Sequence, residues 1–561
     1  MKSSFLSYIL KWRVPVELWV ILGGAAVLRL VGITNIFPSN DELASIMRAV
    51  QMRGGDLNPH WFGYPTGYYY FLLGLWPLQF LAGVWESGWT HPRDLFFAYL
   101  QDPMVVAPLF RVAGVLASIL AIFFTYLAAE KIAGRRWAWL AGLFLAVSPF
   151  ASYWSTQIWP EALIILPGAI CLFFGIRYTE TGSLKHILIS GLAAGAAVSV
   201  KYNAVYLCAI IPCAVWAHTR LHGTETRLAW GHIFLPALAS LVGFFVFTPF
   251  AVLDWRAFLS TFVDIFKSRS EISHIGLDAG WELQRTAPWI WWSQALNSIS
   301  PGFLWLLGFA LILVLMRWQI QYLVLIGTII IMLPFLSWFG RAEFRHVIPI
   351  LPIFGCTLSI AARTADSFAG RYKPLIFFVA CVICLPGLQN TLIRLNDQRL
   401  PDTRIEARHW IEANVPDGSK ILLDVMYVPH LVRSKEQVEY ILNHPGSGDI
   451  PSSRELAMPR KISFWVENLP ISIDSREHGL TADGRVRQPD LLTPAEYFAA
   501  GFEYVVLSAG TYERFSYDPR YEQLKEYYLS FFTQAEIIYE INSDGRPGPK
   551  ITILRLNPST P

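Results

Sequence analysis

The chain has 561 residues, of which 54% are hydrophobic, 15% aromatic and 16% charged, with a formal net charge of +3. Soluble domains carry about 25% charged residues, so this composition excludes an ordinary water-soluble enzyme, and the small net charge does not point to a nucleic-acid partner. Long apolar runs dominate the first two-thirds, and about 20 mostly apolar residues suffice to cross a bilayer, so the sequence predicts a polytopic membrane protein.

Eleven apolar segments are predicted to span the membrane, and together they form an all-α transmembrane domain over residues 1–393. The first is interpreted as an uncleaved span, because no small-residue cleavage pattern follows it. The segments are 15–36, 107–131, 137–153, 160–178, 186–200, 202–217, 232–252, 288–315, 319–338, 346–363 and 374–393.

The apolar segment 67–85 decides the orientation of the whole domain. If it does not cross, every loop that is rich in lysine and arginine lies in the cytoplasm, as the positive-inside rule requires. We therefore predict an interfacial or re-entrant helix at 67–85 and, in a prokaryotic inner membrane, the N-terminus inside and the C-terminus outside. The outer face then receives the first loop (37–106), the turn 154–161, Lys201, the loop 253–287 and the hinge 339–346.

The polar tail, residues 394–561, is predicted to be a small soluble α/β domain outside the membrane. Helical spacing and turn residues place helices at 402–414, 493–500 and 518–531. Runs rich in β-branched and aromatic residues place strands at 420–426, 502–510, 535–541 and 550–556. The stretches 445–453 and 473–490 are interpreted as loops.

Two adjacent carboxylates, Asp41 and Glu42, follow the first span. A carboxylate beside a groove at the membrane surface can take the proton of an attacking hydroxyl, and the pair is also a candidate for holding a divalent cation. The alternative is structural: Asn40 or Asp41 caps the helix that continues to Arg53, and the acids compensate its dipole. The spacing leaves both interpretations open.

Glu161 is predicted at the outer mouth of the fourth span, because Pro160 before it suits the first turn of a helix. Charges within an apolar span cost about 2.5–3.5 kcal/mol at the helix centre and are often functional. An acid in a first helical turn also compensates the helix dipole. Both roles remain open from the sequence.

Lys201 stands between two apolar runs, where it can either snorkel to the headgroups or face a lipid phosphate. Further charged residues crowd the turn before the tenth span, on the same predicted side: Arg341, Glu343, Arg345 and His346. Several cations at one membrane depth favour a phosphate-binding mouth over a set of isolated surface charges.

These motifs, in this order, resemble the integral-membrane type C glycosyltransferases that include protein O-mannosyltransferases and the aminoarabinose transferase of lipid A. In the membrane domain the similar strings are SNDELASIMRAVQMRGGDLNPHWFGYPTGYYYF, IWPEALIILPGAICLFFG, GLAAGAAVSVKYNAVYL and FRHVIPILP. In the tail they are DTRIEARHWIEANVPDGSKI, FEYVVLSAGTYERF and GPKITILRL.

The resemblance implies an enzyme that takes a hexosyl or pentosyl group from a polyprenyl phosphate at the outer face of the membrane. The sugar passes with inversion to a hydroxyl of a protein, a lipid or a glycan. No nucleotide or other cofactor is expected beyond the candidate divalent cation.

By position, the resemblance assigns Asp41 as the catalytic base or acceptor-orienting carboxylate and Glu161 as a second catalytic acid, where relatives usually have aspartate. Lys201 is expected to hold the lipid phosphate. The other expected substrate-binding residues are Glu42, Arg345, His346 and Tyr64. Many relatives have lysine or histidine at the position of Tyr64, and the aminoarabinose transferases carry a basic residue where this chain has Leu43 and Ala44, so close identity with that subfamily is not expected.

Two other classes of protein compete with this interpretation. A transporter or lipid flippase would place ionisable residues or broken helices near the middle of the bilayer, whereas the candidate residues here gather at one predicted face. A receptor-like protein would use the outer tail to bind a ligand without catalysis.

Overall fold

The computed structural model describes residues 15–52, 55–223, 226–267, 287–338, 343–444, 453–471, 488, 491–515 and 521–557. Within these ranges, α-helices fill most of the chain up to residue 397, and a five-stranded sheet with flanking helices follows. This is the predicted combination of an all-α membrane domain and a small α/β domain.

The helices of the membrane domain are numbered in chain order. They are α1 (Val16–Leu30), α2 (Asn40–Met52), α3 (Thr66–Ser87), α4 (Pro92–Gln101), α5 (Ala107–Ala133), α6 (Arg135–Val147), α7 (Pro149–Ser155), α8 (Pro160–Thr181), α9 (Leu184–Val200), α10 (Ile210–His222), α11 (Thr226–Phe247), α12 (Phe250–Leu253), α13 (Trp255–Lys267), α14 (Pro288–Ile299), α15 (Phe303–Met316), α16 (Leu323–Trp338), α17 (Leu351–Phe368), α18 (Lys373–Val382) and α19 (Leu385–Asp397). Short 3₁₀ segments precede several of them, at Pro103–Val105, Tyr202–Ala209, Ile320–Tyr322, Phe344–Ile350 and Gly370–Tyr372.

Seven helical segments of the described chain are long and apolar enough to cross a membrane. They are Pro103–Ala133, Pro160–Thr181, Tyr202–His222, Trp230–Phe247, Ile320–Trp338, Phe344–Phe368 and Gly370–Asp397. The bent pair α14–α15 adds an eighth if it forms one span. The chain is therefore an integral membrane protein. The shorter helices α1, α6 and α9 overlap three of the other predicted spans, and the total of eleven stays a prediction.

The predicted span 288–315 is not one continuous helix. Helices α14 and α15 meet at 95°, because Pro301 has no N–H to continue the helical hydrogen bonds and Gly302 takes the left-handed conformation, with φ of 73°. The Trp291 ring of α14 lies 5.7 Å from the ring of Phe344. The first arm of the pair thus lies beside the 3₁₀ turn that begins the tenth predicted span.

The tail contains the strands β1 (Lys420–Leu423), β2 (Trp465–Asn468), β3 (Tyr504–Ser508), β4 (Ala535–Ile541) and β5 (Ile551–Leu556), in the sheet order β2-β1-β3-β5-β4. The first three are parallel, and β5 pairs antiparallel with β3 and β4. Its helices are α20 (Thr403–Asn414), α21 (Lys435–Asn443), α22 (Pro494–Ala499), α23 (Ala509–Phe515) and α24 (Glu522–Gln534).

All four predicted strands and all three predicted helices of the tail are present in the structure. Strand β2 was missed, because half of its four residues are Glu467 and Asn468, which are uncommon in strands. The predicted loops 445–453 and 473–490 lie almost entirely outside the described residues.

The tail rests on the first loop of the membrane domain. Gln101 Nε2 donates to Pro459 O at 2.6 Å, and Arg408 forms an ion pair with Asp102 at 3.2 Å. Asn40 Nδ2 donates to Val425 O at 3.4 Å. We call this end of the membrane domain the tail-facing end.

Helix α3 contains the whole of the ambiguous segment 67–85. It begins at the tail-facing end, and the chain returns to that end through α4. Its first turn is fixed by Tyr68, whose hydroxyl donates to Ile158 O at 2.6 Å. Trp76 of the same helix packs on Tyr99 of α4, with ring centroids 5.9 Å apart. The ten residues of α4 rise only about 15 Å, which is too short to recross a bilayer, and yet α4 ends against the tail. This geometry supports the interpretation of 67–85 as a helix that does not cross.

An impermeant thiol reagent applied to intact cells tests the predicted orientation. The six native cysteines are replaced, and a single cysteine is introduced at Lys435 in the tail or at Lys185 in the first turn of α9; both are exposed. Because the basic loops favour the cytoplasm, we expect position 435 to react in intact cells and position 185 only after permeabilisation. Reaction at 185 without reaction at 435 would reverse the orientation.

Candidate active site

The small residues of α9 bring Lys201 to the tail-facing end. Gly195 lies so close to Ser240 O of α11 that a side chain would collide with it, and such residues let membrane helices pack closely. At Lys201 the backbone is extended, with φ of −155° and ψ of 129°, so α9 stops there and a 3₁₀ segment takes over. The lysine is thus fixed at a break between two apolar helices, as the sequence predicts, and its side chain is largely buried.

Glu161 is buried at the start of α8, where its exposed fraction is 2%. Its Oε1 atom accepts a hydrogen bond from Lys201 Nζ and lies 3.2 Å from Arg345 Nε. Arg345 also pairs with Glu343, at 2.6 Å. One carboxylate oxygen therefore holds two cations that come from separate parts of the chain. Such a pair is costly to break, because the remaining charge is left buried.

The second oxygen of Glu161 has a different environment. Oε2 is buried, and no group in the described part of the chain donates a hydrogen bond to it. Buried polar atoms normally have partners, so this oxygen is a candidate acceptor for a hydroxyl of a bound molecule.

Two tryptophans that the sequence analysis did not single out complete the environment of Arg345. The guanidinium carbon lies 4.2 Å from the ring centroid of Trp159 and 5.3 Å from that of Trp154. These distances are within the range of cation–π attraction. In the sequence, both tryptophans stand in the predicted outer turn 154–161, before Pro160 and Glu161.

Tyr64 joins the first loop to this cluster. Lys201 Nζ lies 5.8 Å from the centroid of its ring, and burial raises the pKa of the Tyr64 phenol well above its usual range. The charges of Arg345, Glu161 and Asp41 also act on this phenol. The structure therefore brings the predicted residues of the first loop, the fourth span and the tenth span to one place.

Asp41 lies in the first turn of α2 and is exposed. Ser39 precedes the first residue of α2 and stands at the N-cap position, while both acids lie in the first turn, as the dipole alternative requires. Glu42 N donates to Ser39 Oγ at 3.4 Å, and Ser39 N donates to Glu42 Oε2 at 2.6 Å, which is the reciprocal pattern of a capping box. The carboxylate of Asp41 is thus not needed to start the helix.

Glu42 is buried and fastens α2 to the turn before α8. Its Oε1 atom accepts from Ile158 N at 2.6 Å, while Oε2 serves the capping box. Both oxygens of Glu42 accept hydrogen bonds from backbone amides, and the predicted cation site at Asp41 and Glu42 stays a prediction. No group of three or more metal-ligating side chains occurs among the described residues, and we derive no step through a metal ion.

His346 is buried and stabilises the 3₁₀ turn before α17. Its Nδ1 atom accepts from Glu343 N at 3.2 Å. Its carbonyl oxygen accepts from Asn203 at 3.3 Å and from Tyr206 at 3.0 Å. These contacts tie the turn that carries Arg345 to the segment after Lys201. Arg341 lies outside the described residues.

Comparison with known proteins supports the fold that these motifs predict. A family model described as dolichyl-phosphate-mannose-protein mannosyltransferase matches residues 104–252, which is about a quarter of the chain. No curated protein sequence matches.

Two solved structures of ArnT from Cupriavidus metallidurans are similar to the chain, each with a TM-score of 0.51 at 13% identity. One is in the apo state, and the match covers 96% of this chain and 98% of that one. The other is bound to undecaprenyl phosphate, with 99% of each chain covered. The oligosaccharyltransferase AglB from Archaeoglobus fulgidus is a more distant match, with 12% identity, a TM-score of 0.48, and 93% and 72% coverage.

A pair of variants tests whether Glu161 holds the two cations. Glu161→Gln leaves Lys201 and Arg345 buried beside an uncharged amide, and we expect the free energy of unfolding to fall by about 3–5 kcal/mol. Adding Lys201→Met removes one stranded charge and should restore part of that loss. Apparent Tm values in detergent measure both effects. Strictly additive losses in the double variant would show that the two side chains are not coupled.

Proposed function

We propose that this membrane protein, which has the type C glycosyltransferase fold, transfers a monosaccharide from a polyprenyl-phosphate donor to a hydroxyl group of a protein, a lipid or a glycan. The observation that carries the proposal is the convergence of Lys201 and Arg345 on one oxygen of Glu161, with Asp41 exposed nearby on α2. Cations for a phosphate and a carboxylate for a hydroxyl are the two groups that this reaction requires.

The cations stabilise the leaving group. As the bond between the anomeric carbon and the phosphate oxygen breaks, negative charge develops on the phosphate, and donors fixed in advance lower the barrier. Lys201 offers a compact ammonium with three N–H donors, and Arg345 offers a planar fork suited to phosphate oxygens. Glu161 holds both cations in position before the donor arrives, and the two tryptophans also hold Arg345.

Asp41 is the proposed base. It accepts the proton of the acceptor hydroxyl while that oxygen attacks the anomeric carbon from the side opposite the phosphate. A single displacement of this kind inverts the anomeric centre. Glu42, which neighbours Asp41, instead fixes the start of α2 by its contacts with Ser39 and Ile158, so we assign it a positioning role.

The remaining predicted residues have supporting roles in this proposal. Tyr64 lies over Lys201 and borders the phosphate mouth, and His346 holds the turn that presents Arg345. Glu161 Oε2, which has no donor among the described residues, can accept a hydroxyl of the donor sugar, whereas the resemblance assigns Glu161 as a second catalytic acid.

The lipid character of the donor is supported by the position of the cations and by the comparisons. Lys201 and Arg345 lie at the ends of apolar helices, where the phosphate of a long-chain lipid would lie while its chain stays in the bilayer. ArnT, of similar fold, has been solved with undecaprenyl phosphate. The charge bias of the loops favours the outer face of a prokaryotic inner membrane for this end of the protein.

A transporter or flippase is a weaker explanation of the same residues. Transporters of known folds bind their cargo near the middle of the bilayer, between broken helices. The bent pair α14–α15 in this chain lies with its first arm beside Phe344, next to Arg345 and thus at the tail-facing end.

The variant Asp41→Asn tests the proposed base directly. Asparagine keeps the size of the side chain but cannot take a proton, and positioned bases contribute about 10²–10⁴-fold to a rate. We therefore expect sugar transfer by the purified protein from labelled polyprenyl-phosphate sugars to fall by that order, while donor binding persists.

The matched control is Glu86→Gln, which neutralises an exposed carboxylate of the same loop and should leave transfer unchanged. Near-normal turnover in Asp41→Asn would remove Asp41 from the reaction.

A further inference from the structure

The segment 33–38 joins α1 to Ser39, the N-cap of the helix that carries Asp41, and it contains no regular secondary structure. Such a segment must satisfy its backbone carbonyls by other means when it is buried. Two buried arginines do so, one from the membrane domain and one from the tail.

Arg111 of α5 approaches the segment from the membrane domain. It is fully buried, and its Nη1 atom donates to Ile33 O at 3.2 Å and to Ile36 O at 2.6 Å. Its Nη2 atom lies 3.9 Å from Glu42 Oε1. The same guanidinium therefore faces both the segment and the first turn of α2.

Arg404 of α20 approaches from the tail. Its Nη2 atom donates to Phe37 O at 3.0 Å, and its Nη1 atom donates to Pro38 O at 3.3 Å. Asp402 holds the guanidinium by two hydrogen bonds, at 2.9 and 2.8 Å. Asp402 also accepts from Phe37 N at 3.3 Å, and its own N–H donates to Asn35 O at 2.8 Å.

We infer that Arg111 and Arg404 form a bracket around residues 33–38 that positions Asp41, so that the tail domain acts in catalysis by fixing the reactive helix. This inference rests on the proposed function, in which Asp41 is the base. Pro38, the last residue held by the bracket, precedes Asp41 by only three positions. A displacement of the segment is therefore passed directly to the carboxylate.

Arg404 is a positioning residue in this account, since it touches the backbone before α2 and not the reacting groups. Its buried donors go to carbonyls of the segment, which gives a directional constraint that a surface ion pair between domains would not give. The contact of Arg408 with Asp102, one turn further along α20, is an ion pair between two side chains, and the side chain of Asp102 is 41% exposed. Substitution of Arg404 therefore tests the positioning of α2, whereas substitution of Arg408 tests only the attachment of the tail.

Three variants of the full-length protein test the bracket: Arg404→Met, Arg404→Lys and, as the matched control, Arg408→Met. A misplacement of about 1 Å costs up to roughly 10²-fold in rate, so we expect Arg404→Met to lower kcat by about 10–100-fold while the donor KM changes little. Arg404→Lys should recover part of the loss, because an ammonium can reach one carbonyl but not both. Arg408→Met should keep kcat near that of the wild type.

Hydrogen exchange gives a second measurement that does not depend on sugar transfer. Peptides covering residues 35–52 should exchange faster in Arg404→Met than in the wild type or Arg408→Met. Faster exchange that is limited to Arg404→Met supports the bracket. If the wild type transfers no sugar from a polyprenyl phosphate, only the proposed function is overturned, and the exchange result still supports the bracket. Unchanged exchange and kcat in Arg404→Met, or equal effects in Arg408→Met, would overturn the inference.

Discussion

The carboxylate of Glu161 is buried at the start of α8, and it attracts Lys201 and Arg345 to a single oxygen. Three separated parts of the chain meet there, namely the fourth predicted span, the break after α9 and the turn before α17. Each charge would be costly to bury alone, so the cluster forms only when the three parts are packed together. The position of the proposed phosphate site therefore depends on the packing of the membrane helices.

A second constraint acts on Asp41, whose charge acts on the phenol of Tyr64 beside this cluster. The capping box of Ser39 and Glu42 starts α2, Glu42 ties it to Ile158, and the preceding segment lies between Arg111 and Arg404. Asp41 is exposed, and its neighbours on both sides are held. An exposed acid on a rigid support suits a proton acceptor, because reactive groups work best when the surrounding residues fix their geometry. The tail domain contributes to this support through Arg404 and Asp402.

The sequence predicted the membrane domain, the α/β tail, four of the five strands and the residues that gather at the site. Those predictions rested on signals with direct physical causes, such as apolar length, strand alternation and charges stranded between apolar runs. The partner of each charged residue could not be predicted from the sequence, because the ion pair between Glu161 and Lys201 joins positions 40 residues apart. The role of Ser39 as the cap was also missed, although the Ser-x-x-Glu spacing that defines a capping box was present. Arg404 gave no signal, since an arginine in a polar helix usually faces solvent.

The most direct measurement of the central claim compares the binding of polyprenyl phosphate with that of the corresponding polyprenol, which lacks the phosphate. If Lys201 and Arg345 form the phosphate site, the wild type should prefer the phosphate, and Lys201→Met should lose about 1.5–3 kcal/mol of that preference, the scale of a hydrogen bond to a charged group. Lys185→Met, at an exposed position in the first turn of α9, should behave like the wild type. An unchanged preference in folded Lys201→Met would contradict the account.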